Sequence, residues 1–228
     1  MTARTYGQFC GLARAMEIIG ERWSLLVIRD LVLGPKRFTD LQRGLPKIAR
    51  SILSARLNEL EEAGVVRRRV LPDLDAAVVY ELTEYGSELD RILLQLGLWG
   101  ARSLGEPAAD DVFTPDAAIL SLYTTFRPEA ALGTALTVEI RHSAELIVHA
   151  RIDNGAIKAD RGPCADADLV IKPRGMAMLL LLNGGLSAAE ALAGGHVGIE
   201  GPAQHLETFT RLFHIAAAPA RPEGLVVH

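Results

Sequence analysis

Apolar residues recur at helical spacing through most of the first hundred residues of this 228-residue chain. The first such segment, CGLARAMEIIG (10–20), ends on a glycine, which predicts a helix that stops there. Further helices are predicted for residues 23–33, for RFTDLQRGL (37–45) and for residues 49–63, the last with Gly64 as its cap. The pattern therefore indicates a run of four short helices.

The periodicity changes after Gly64. VVRRRVL (65–71) and AVVYELT (77–83) alternate as strands do, and the turn LPDLDA (71–76) joins them into a hairpin. Thr83 is then expected to cap a long helix from Glu84 to about Arg102. The first half thus consists of helices followed by one hairpin and a long closing helix.

The second half mixes both periods and is typical of an α+β domain. Predicted helices and strands alternate along it: a helix at 115–132, strands at 135–142, 145–152, 155–160 and 167–173, helices at 175–183 and 187–193, a strand in HVGIEG (196–201) and a helix at 203–215. The dipeptide Asn154-Gly155 predicts a tight hairpin turn. Residues 105–116 carry two prolines and three aspartates, and we interpret them as a linker between domains at 1–104 and 117–228.

Composition narrows the class of protein. An apolar fraction of 49% supports packed cores, while the longest apolar runs are too short to span a bilayer. The amino-terminal residues lack the pattern of a signal peptide, so we expect a cytoplasmic protein without a membrane partner. Two cysteines, Cys10 and Cys164, form neither a disulfide framework nor a zinc-binding spacing.

Charge is distributed unevenly along the chain. The net charge is −4, yet residues 14–69 hold 12 Lys/Arg against 7 Asp/Glu, whereas residues 105–228 hold 9 against 15. A basic window before an acidic second half indicates two different tasks, the first directed at a polyanion.

The helix at 49–63 has an apolar side and a basic, small-polar side. Its apolar residues are Ile52, Leu53, Leu57 and Leu60; the opposite side presents Lys47, Ser51, Ser54 and Asn58, flanked by Arg50 and Arg56. Such a side suits the DNA major groove, where short side chains permit close approach and Arg, Asn and Ser bond base edges or phosphates. An ordinary solvated helix face is the alternative. The order of helices followed by a hairpin favours a helix-turn-helix with a wing at 65–82, hence DNA binding.

The three wing arginines, Arg67, Arg68 and Arg69, alternate in direction along the first strand of the hairpin. We therefore expect two of them to reach one DNA backbone.

The first half resembles the HxlR family of bacterial winged-helix regulators over roughly residues 6–102. The resemblance rests on IIGERWSLLVIRDLVLGPKRFTDL (18–41), LSARLNELEEAGVV (53–66) and YELTEYG (80–86). It implies a homodimer on a near-palindromic operator, with Arg50, Ser51, Ser54 and Arg56 in the recognition helix and Arg37 near the DNA backbone.

The same resemblance assigns the dimer interface to the first helix and the long helix after the wing. The apolar residues concerned are Leu12, Met16, Leu89, Ile92, Leu93, Leu96 and Trp99. Their stripe on the long helix exceeds what a winged helix of ~100 residues covers internally. Packing of the stripe onto the second domain is the alternative.

Some members of this family sense electrophiles or oxidants through a cysteine at the position of Cys10. Reactivity requires a thiolate stabilised by a helix N-terminus or by a nearby cation, for which Arg14 is a candidate. The alternative, which we favour, is a small apolar side chain packed at the interface.

The second half resembles the sterol-carrier-protein-like fold over about residues 117–215, through ADLVIKPRGMAMLLLLNGGLSAAEALAGGHVGIEGPAQHLETFTRLF (167–213). The resemblance implies an apolar tunnel for a fatty-acyl or sterol-like molecule. The lining residues we expect are Met178, Leu179, Leu182, Leu206, Phe209 and Phe213. Simple core filling by the same residues is the alternative.

No sequence motif indicates an enzyme. HExxH, GxSxG and P-loop patterns are absent, and we expect no catalytic residue, metal or cofactor. The prediction is a mainly α winged helix-turn-helix domain joined to an α+β sterol-carrier-like domain, acting as a transcription regulator, by expectation a repressor, that senses a small apolar ligand. A thiol-sensing regulator and a lipid carrier or enzyme with accessory DNA binding are the alternatives.

Overall fold

The structure, a computed structural model, describes residues 5–71 and 77–217. Most of the predicted turn LPDLDA and the outer ends of the two predicted domains lie outside these described residues. The chain divides into two compact units, the first ending at Leu93 and the second beginning at Leu94. Among the described helices, none has the length and apolar character needed to cross a bilayer.

Helices and a three-stranded sheet build the first unit. Its elements in chain order are α1 (Gly11–Ile19), α2 (Ser24–Val32), β1 (Lys36–Arg37), α3 (Phe38–Gly44), α4 (Arg50–Glu62), β2 (Val66–Leu71), β3 (Ala77–Leu82) and α5 (Glu84–Ser87). The helix α6 (Leu89–Ala101) follows and contains the division between the units. The strands pair antiparallel in the order β1-β3-β2. The short edge strand β1 is an element that the sequence pattern did not predict.

A single apolar core holds the first unit together. Leu53, Leu57 and Leu60 lie at helical spacing on α4 and are fully buried against Ile28 and Leu31 of α2. Burying each such side chain contributes about 2 kcal/mol to folding. This buried row fixes the rotation of α4, so the opposite side of the helix has to face outward.

The ends of the helices largely follow the predicted signals. Gly64, directly after α4, has φ +73°, the left-handed conformation that ends helices and that glycine adopts without strain. Thr83 accepts a hydrogen bond from the backbone N–H of Gly86 and so caps α5, as predicted. The single long helix predicted from Glu84 is instead interrupted at Glu88, although the backbone there remains helical (φ −61°, ψ −21°).

The second unit is α+β. It contains α7 (Pro115–Thr125), a 3₁₀ turn (Pro128–Ala131), β4 (Ala135–Arg141), β5 (Ile147–Asp153), β6 (Ala156–Arg161), β7 (Leu169–Pro173), α8 (Ala177–Leu182), α9 (Ala188–Ala193), β8 (Val197–Glu200) and α10 (Ala203–Leu212). The four predicted strands β4 to β7 and the predicted short strand β8 are all present. Asn154-Gly155 forms the predicted turn between β5 and β6, with positive φ at both residues.

One predicted helix in the second unit is too long. The expected helix 115–132 ends at Thr125, and Arg127, the residue before Pro128, is extended (φ −115°, ψ 93°). The proline ring disfavours the helical conformation of the residue that precedes it, so the helix stops short.

The five strands pair in the order β6-β5-β4-β7-β8, with only β4 and β7 parallel. Alternate residues of the central strands, such as Val138, Ile140, Val148 and Ala150, are buried in the apolar core. The residues between them point to the other face, where Glu139 and Arg151 lie. The segment 162–168 connects β6 to β7 and therefore has to cross β5 and β4 on its way.

Candidate nucleic-acid interface

Two helices joined by a tight turn form the centre of the site. Gln42 stabilises the turn between α3 and α4: its side-chain amide donates a hydrogen bond to the carbonyl oxygen of Ile48 at 2.7 Å. Leu45 and Ile48 are buried beneath the same turn. The geometry of α4 relative to α3 is therefore fixed by both a hydrogen bond and packing.

The outward side of α4 carries most of the residues predicted to bind DNA. Arg50, Ser51, Ser54 and Asn58 are exposed there, and Lys47 is exposed in the turn before the helix. The prediction that Ile52 belongs to the buried side is wrong. Ile52 is 43% exposed, whereas the other three predicted residues, Leu53, Leu57 and Leu60, form the fully buried row.

The first turn of α4 is ordered by an aromatic neighbour. The guanidinium carbon of Arg50 lies 5.4 Å from the ring centroid of Phe38, a cation–π contact that holds the exposed side chain at the helix start. Arg37 is exposed directly before α3, and its backbone N–H donates to the carboxylate of Asp40 at 3.3 Å. Both arginines therefore belong to the outward surface of α3 and α4.

Arg56 differs from the other predicted DNA contacts. Its side chain is only 13% exposed and is bound by Glu59 at 2.7 Å and by Glu21 at 3.5 Å. Two carboxylates thus hold this guanidinium away from the outward face of α4. Arg56 therefore forms an ion pair that joins α4 to the segment before α2.

The wing arginines alternate as predicted, but each already has an acidic partner. Arg67 and Arg69 both bind Glu81 of β3, at 2.8 Å each, whereas Arg68 binds Glu61 of α4 at 2.8 Å. The hydrogen bond from Arg69, followed by that from Arg67, outweighs burial and lowers the pKa of Glu81. The side chains of all three arginines remain about half exposed, so their outer N–H groups face solvent.

Helices α2 to α4 with the hairpin β2–β3 define the winged helix-turn-helix class of DNA-binding proteins. The HxlR-like helix-turn-helix family matches residues 18–107. The transcriptional regulator YodB of Bacillus subtilis (strain 168) is 39% identical over 85 residues, which cover 37% of this chain and 76% of that protein. The chain therefore belongs to the HxlR-like family of transcription regulators.

Further proteins are similar to the same part of the chain. The uncharacterized regulator YtcD of the same organism is 35% identical over 106 residues, covering 46% of this chain and 84% of that protein. The solved structure of the reduced form of YodB is 35% identical, covers 42% of this chain and 95% of that one, and gives a TM-score of 0.38. The family match ends at residue 107, so it describes the first part of the chain.

The residues predicted for a dimer interface divide into two groups. Leu89 and Leu93 are half-buried and pack against the core of the first unit. In contrast, Ile92, Leu96 and Trp99 are exposed on α6, Trp99 by 69%. On α1, Leu12 and Met16 are also exposed.

Cys10 is exposed and precedes α1 as its N-cap residue. The backbone N–H groups of Ala13 and then Leu12, at the helix start, lower the pKa of its thiol. The guanidinium of Arg14 binds Glu17 at 3.1 Å instead of the sulfur. Of the two stabilising groups that the sequence suggested, the helix start therefore acts on the thiol, whereas the cation Arg14 is bound to Glu17.

The six residues predicted to line an apolar tunnel lie in or beside the core of the second unit. Leu206, Phe209 and Phe213 are fully buried, and the rings of Phe209 and Phe213 stack with centroids 4.6 Å apart. Leu182 is buried, and Met178 and Leu179 are half-buried. A cavity in the same unit, on the opposite face of the sheet, is lined by none of these six residues.

The exposure of two further side chains escaped the sequence analysis. The exposure of Ile52 was missed because this residue adjoins the buried Leu53, whereas the other three residues of the predicted apolar side are buried as expected. Glu139 is fully buried on the central strand β4, although glutamate in a strand pattern indicates exposure.

Proposed function

We propose that this chain is a transcription regulator, a repressor, that binds a near-palindromic DNA operator as a homodimer. In this proposal α4 enters the major groove of each half-site, the wing lies along the adjacent backbone, and the second unit senses a small molecule. Membership of the HxlR-like family supports the assignment to transcription regulators.

The observation that carries the proposal is the outward side of α4. Arg50, Ser54 and Asn58 project from this side, opposite a row of fully buried leucines. Arginine pairs with two acceptors of guanine and asparagine with adenine, while the small serines let the helix approach the bases closely. The net charge of +5 over residues 14–69 attracts the phosphates.

An apolar stripe on α6 supports the homodimer. Ile92, Leu96 and Trp99 follow each other at helical spacing and lie exposed in the isolated chain. A second copy that presents the same stripe would remove these side chains from water, and the two-fold symmetry of such a pair matches that of a palindromic site.

Binding to a selected DNA duplex tests the proposal. The duplex is first recovered from a random library by rounds of binding to the purified protein, and affinity is then measured by fluorescence anisotropy. Arg50→Ala should weaken binding at least about 5-fold, since a bidentate arginine–guanine pair contributes about 1–3 kcal/mol. The matched control Arg174→Ala removes an exposed arginine of the second unit and should leave the affinity unchanged. Equal affinities for the two variants would contradict the role assigned to α4.

The apolar nature of the effector stays a prediction from sequence. Core packing of Phe209 and Phe213 gives it no additional support, because stacked and fully buried rings leave the site already filled. A sensing role for the second unit rests instead on its being a separate α+β unit with its own cavity.

A thiol-sensing regulator is the second candidate, and the geometry of Cys10 favours it. The sulfur is exposed at a helix start whose amides lower the pKa of the thiol. If Cys10 is the switch, a Cys10→Ser protein should bind the selected duplex normally but no longer release it on treatment with diamide. Release of the duplex by the serine variant would remove this candidate.

A further inference from the structure

Arg50 is held differently from the other arginines of α4 and the wing. Among the residues that the structure describes, carboxylates bind each of those others, namely Arg56, Arg67, Arg68 and Arg69. The guanidinium of Arg50 instead lies over the ring of Phe38, with 5.4 Å between its central carbon and the ring centroid. Arg50 therefore has a neighbour that orients its side chain without neutralising its charge.

The nature of this neighbour matters for DNA binding. A carboxylate accepts hydrogen bonds from the same N–H groups that would otherwise donate to a base or a phosphate. An aromatic ring attracts a guanidinium through the ring face and supplies no acceptor oxygen, so the N–H groups remain available. An arginine reads guanine by donating two of these N–H groups to O6 and N7. The contact with Phe38 and a bidentate pair with guanine can therefore exist at the same time.

Phe38 is itself held in place from two directions. Its side chain is partly buried and packs against the apolar core of the first unit. Its backbone begins α3 directly after β1, and Lys36 and Arg37 of that short strand pair with β3. The ring is therefore a fixed support, and a side chain that lies on it loses mobility before DNA binds.

The backbone that carries Arg50 is equally well fixed. Arg50 is the first residue of α4, and the carbonyl oxygen of the preceding Ala49 accepts a hydrogen bond from the N–H of Leu53 at 2.9 Å. Leu53 is fully buried. The first residues of a recognition helix are the ones that meet base edges. Ordering a long side chain during binding reduces affinity, and Phe38 lowers this cost by ordering Arg50 beforehand.

We propose that Phe38 is a specificity-determining positioning residue, whose ring holds Arg50 in the orientation from which the guanidinium reads a guanine in each half-site. The inference rests on the proposed function and deepens it, because it names the base read at one position and the residue that orients the reader. Phe38 donates to no base and acts only through Arg50. The first residue of α3 thereby contributes to the reading of sequence by α4.

Two substitutions separate the aromatic face from the bulk of the side chain. Phe38→Leu keeps an apolar group in the core but removes the ring, whereas Phe38→Tyr keeps the ring. Affinity for the duplex selected by the unaltered protein is measured by fluorescence anisotropy. Phe38→Leu should weaken binding about 2- to 5-fold, the range of an exposed cation–π contact, and Phe38→Tyr should bind as the unaltered protein does. In an Arg50→Ala background, Phe38→Leu should have no further effect.

The double substitution distinguishes positioning from core packing. An equal loss of affinity on Phe38→Leu with and without Arg50 would make Phe38 a purely structural residue and overturn the proposal. Unchanged binding by Phe38→Leu would overturn it as well. Ile19→Ala, which alters another partly buried residue packed against the same core, is the matched control and should have the same effect in both backgrounds.

A modified base gives a readout that core packing does not change. Guanines of both half-sites are replaced, one position at a time, by 7-deazaguanine, which lacks the N7 acceptor and so removes one hydrogen bond of the bidentate pair. One position should weaken binding of the unaltered protein by about 3-fold or more. This response should shrink in Phe38→Leu and vanish in Arg50→Ala. An undiminished response in Phe38→Leu would show that the ring does not direct Arg50 toward the guanine.

A measurement without DNA separates this inference from the proposed function. In NMR spectra of the full-length protein with labelled arginine, the Cδ protons of Arg50 are identified by their absence in Arg50→Ala. They should lie upfield of their position in Phe38→Leu, because the ring current shields protons over the ring face, and Phe38→Tyr should retain the shift. Absence of the shift would refute the contact, whatever the protein binds.

The outcomes for the two proposals therefore differ. A protein that shows the shift but binds no duplex would refute the regulator assignment and, with it, the reading of guanine. A protein whose DNA binding requires Arg50, but is the same with phenylalanine or leucine at position 38, would refute only the role of Phe38.

Discussion

Arg69 and Glu81 are joined across the wing by a two-pronged ion pair. Nη2 of Arg69 donates to Oε2 of Glu81 at 2.8 Å, and Nε lies 3.0 Å from the same oxygen. Arg67 binds the other carboxylate oxygen at 2.8 Å. One buried acidic side chain therefore orients two of the three wing arginines and offsets part of their charge.

Removing the charge of Glu81 should tighten DNA binding. In Glu81→Gln both Arg67 and Arg69 keep their exposed N–H groups but lose the competing carboxylate, so they pair more completely with phosphates. Affinity for the selected duplex should rise several-fold, and the plot of log K against log salt concentration should steepen by about 1. Glu145→Gln, an equal charge change in the second unit, should leave both quantities unchanged; a weaker affinity in Glu81→Gln would show that the carboxylate is needed to position the arginines.

Ile52 should contact thymine methyl groups. An exposed isoleucine in the first turn of a recognition helix lies where side chains meet base edges, and apolar contact with the C5-methyl group is the readout available to it. Replacing the thymines of a half-site one at a time by uracil should weaken binding about fourfold at one position, corresponding to about 0.8 kcal/mol for one buried methyl group.

The matched variant for this prediction is Ile52→Ala. It should bind thymine and uracil duplexes equally at the position concerned, measured by anisotropy in a double-mutant cycle. If both proteins respond equally to every uracil, Ile52 takes no part in reading the sequence.

A charge on the α6 stripe should weaken the homodimer. Leu96→Asp places a carboxylate among Ile92 and Trp99, and burying an unpaired charge is strongly unfavourable. Sedimentation at micromolar concentration should show dimer for the unaltered protein and monomer for the variant. Leu132→Asp, which changes an even more exposed leucine of the second unit, should remain dimeric. A dimeric Leu96→Asp protein would move the interface away from α6.

The two cysteines should differ in reactivity. The backbone N–H groups of Ala13 and then Leu12 lower the pKa of the exposed Cys10, whereas burial, followed by a hydrogen bond to Asp166, raises the pKa of the Cys164 thiol. Cys10 therefore has more thiolate at pH 7.5 and should react with iodoacetamide at least about 10-fold faster. Mass spectrometry of digested protein measures both rates, and Cys10→Ser should lack the fast modification. Comparable rates would mean that Cys10 is shielded in solution.

The elements of the first unit could be predicted from sequence because their signals are local. The buried row of α4, the positive φ of Gly64 and the Thr83 cap are set by residues within one or two turns. The strand β1 is two residues long and exists only through pairing with β3, so no periodicity could indicate it.

The part of the candidate site that depends on local signals could also be predicted from the sequence. Exposure of Arg50, Ser54 and Asn58 follows from the helix period alone. The ion pairs of Arg56 with Glu21 and Glu59, and of the wing arginines with Glu81, depend on side chains that the fold brings together. Composition counts such arginines as free cations, and only the structure reveals their partners.

The cavity in the second unit could not be predicted from the sequence, because its position depends on the order of the strands. Glu139 and Glu200 are 61 positions apart and meet Arg141 because β7 pairs with β4 on one side and with β8 on the other. The crossing of segment 162–168 over the sheet follows from this strand order, which alternation of residues does not specify.

Selection of duplexes from a random library by the purified full-length protein tests the central claim most directly. The account predicts enrichment of an inverted repeat whose half-site centres are about one helical turn, 10–10.5 base pairs, or a multiple of it apart, since two α4 helices enter successive major grooves. Loss of enrichment in Arg50→Ala selections should accompany this result. Recovery of no enriched sequence, or of a single unrepeated site, would contradict a homodimeric regulator that reads DNA through α4.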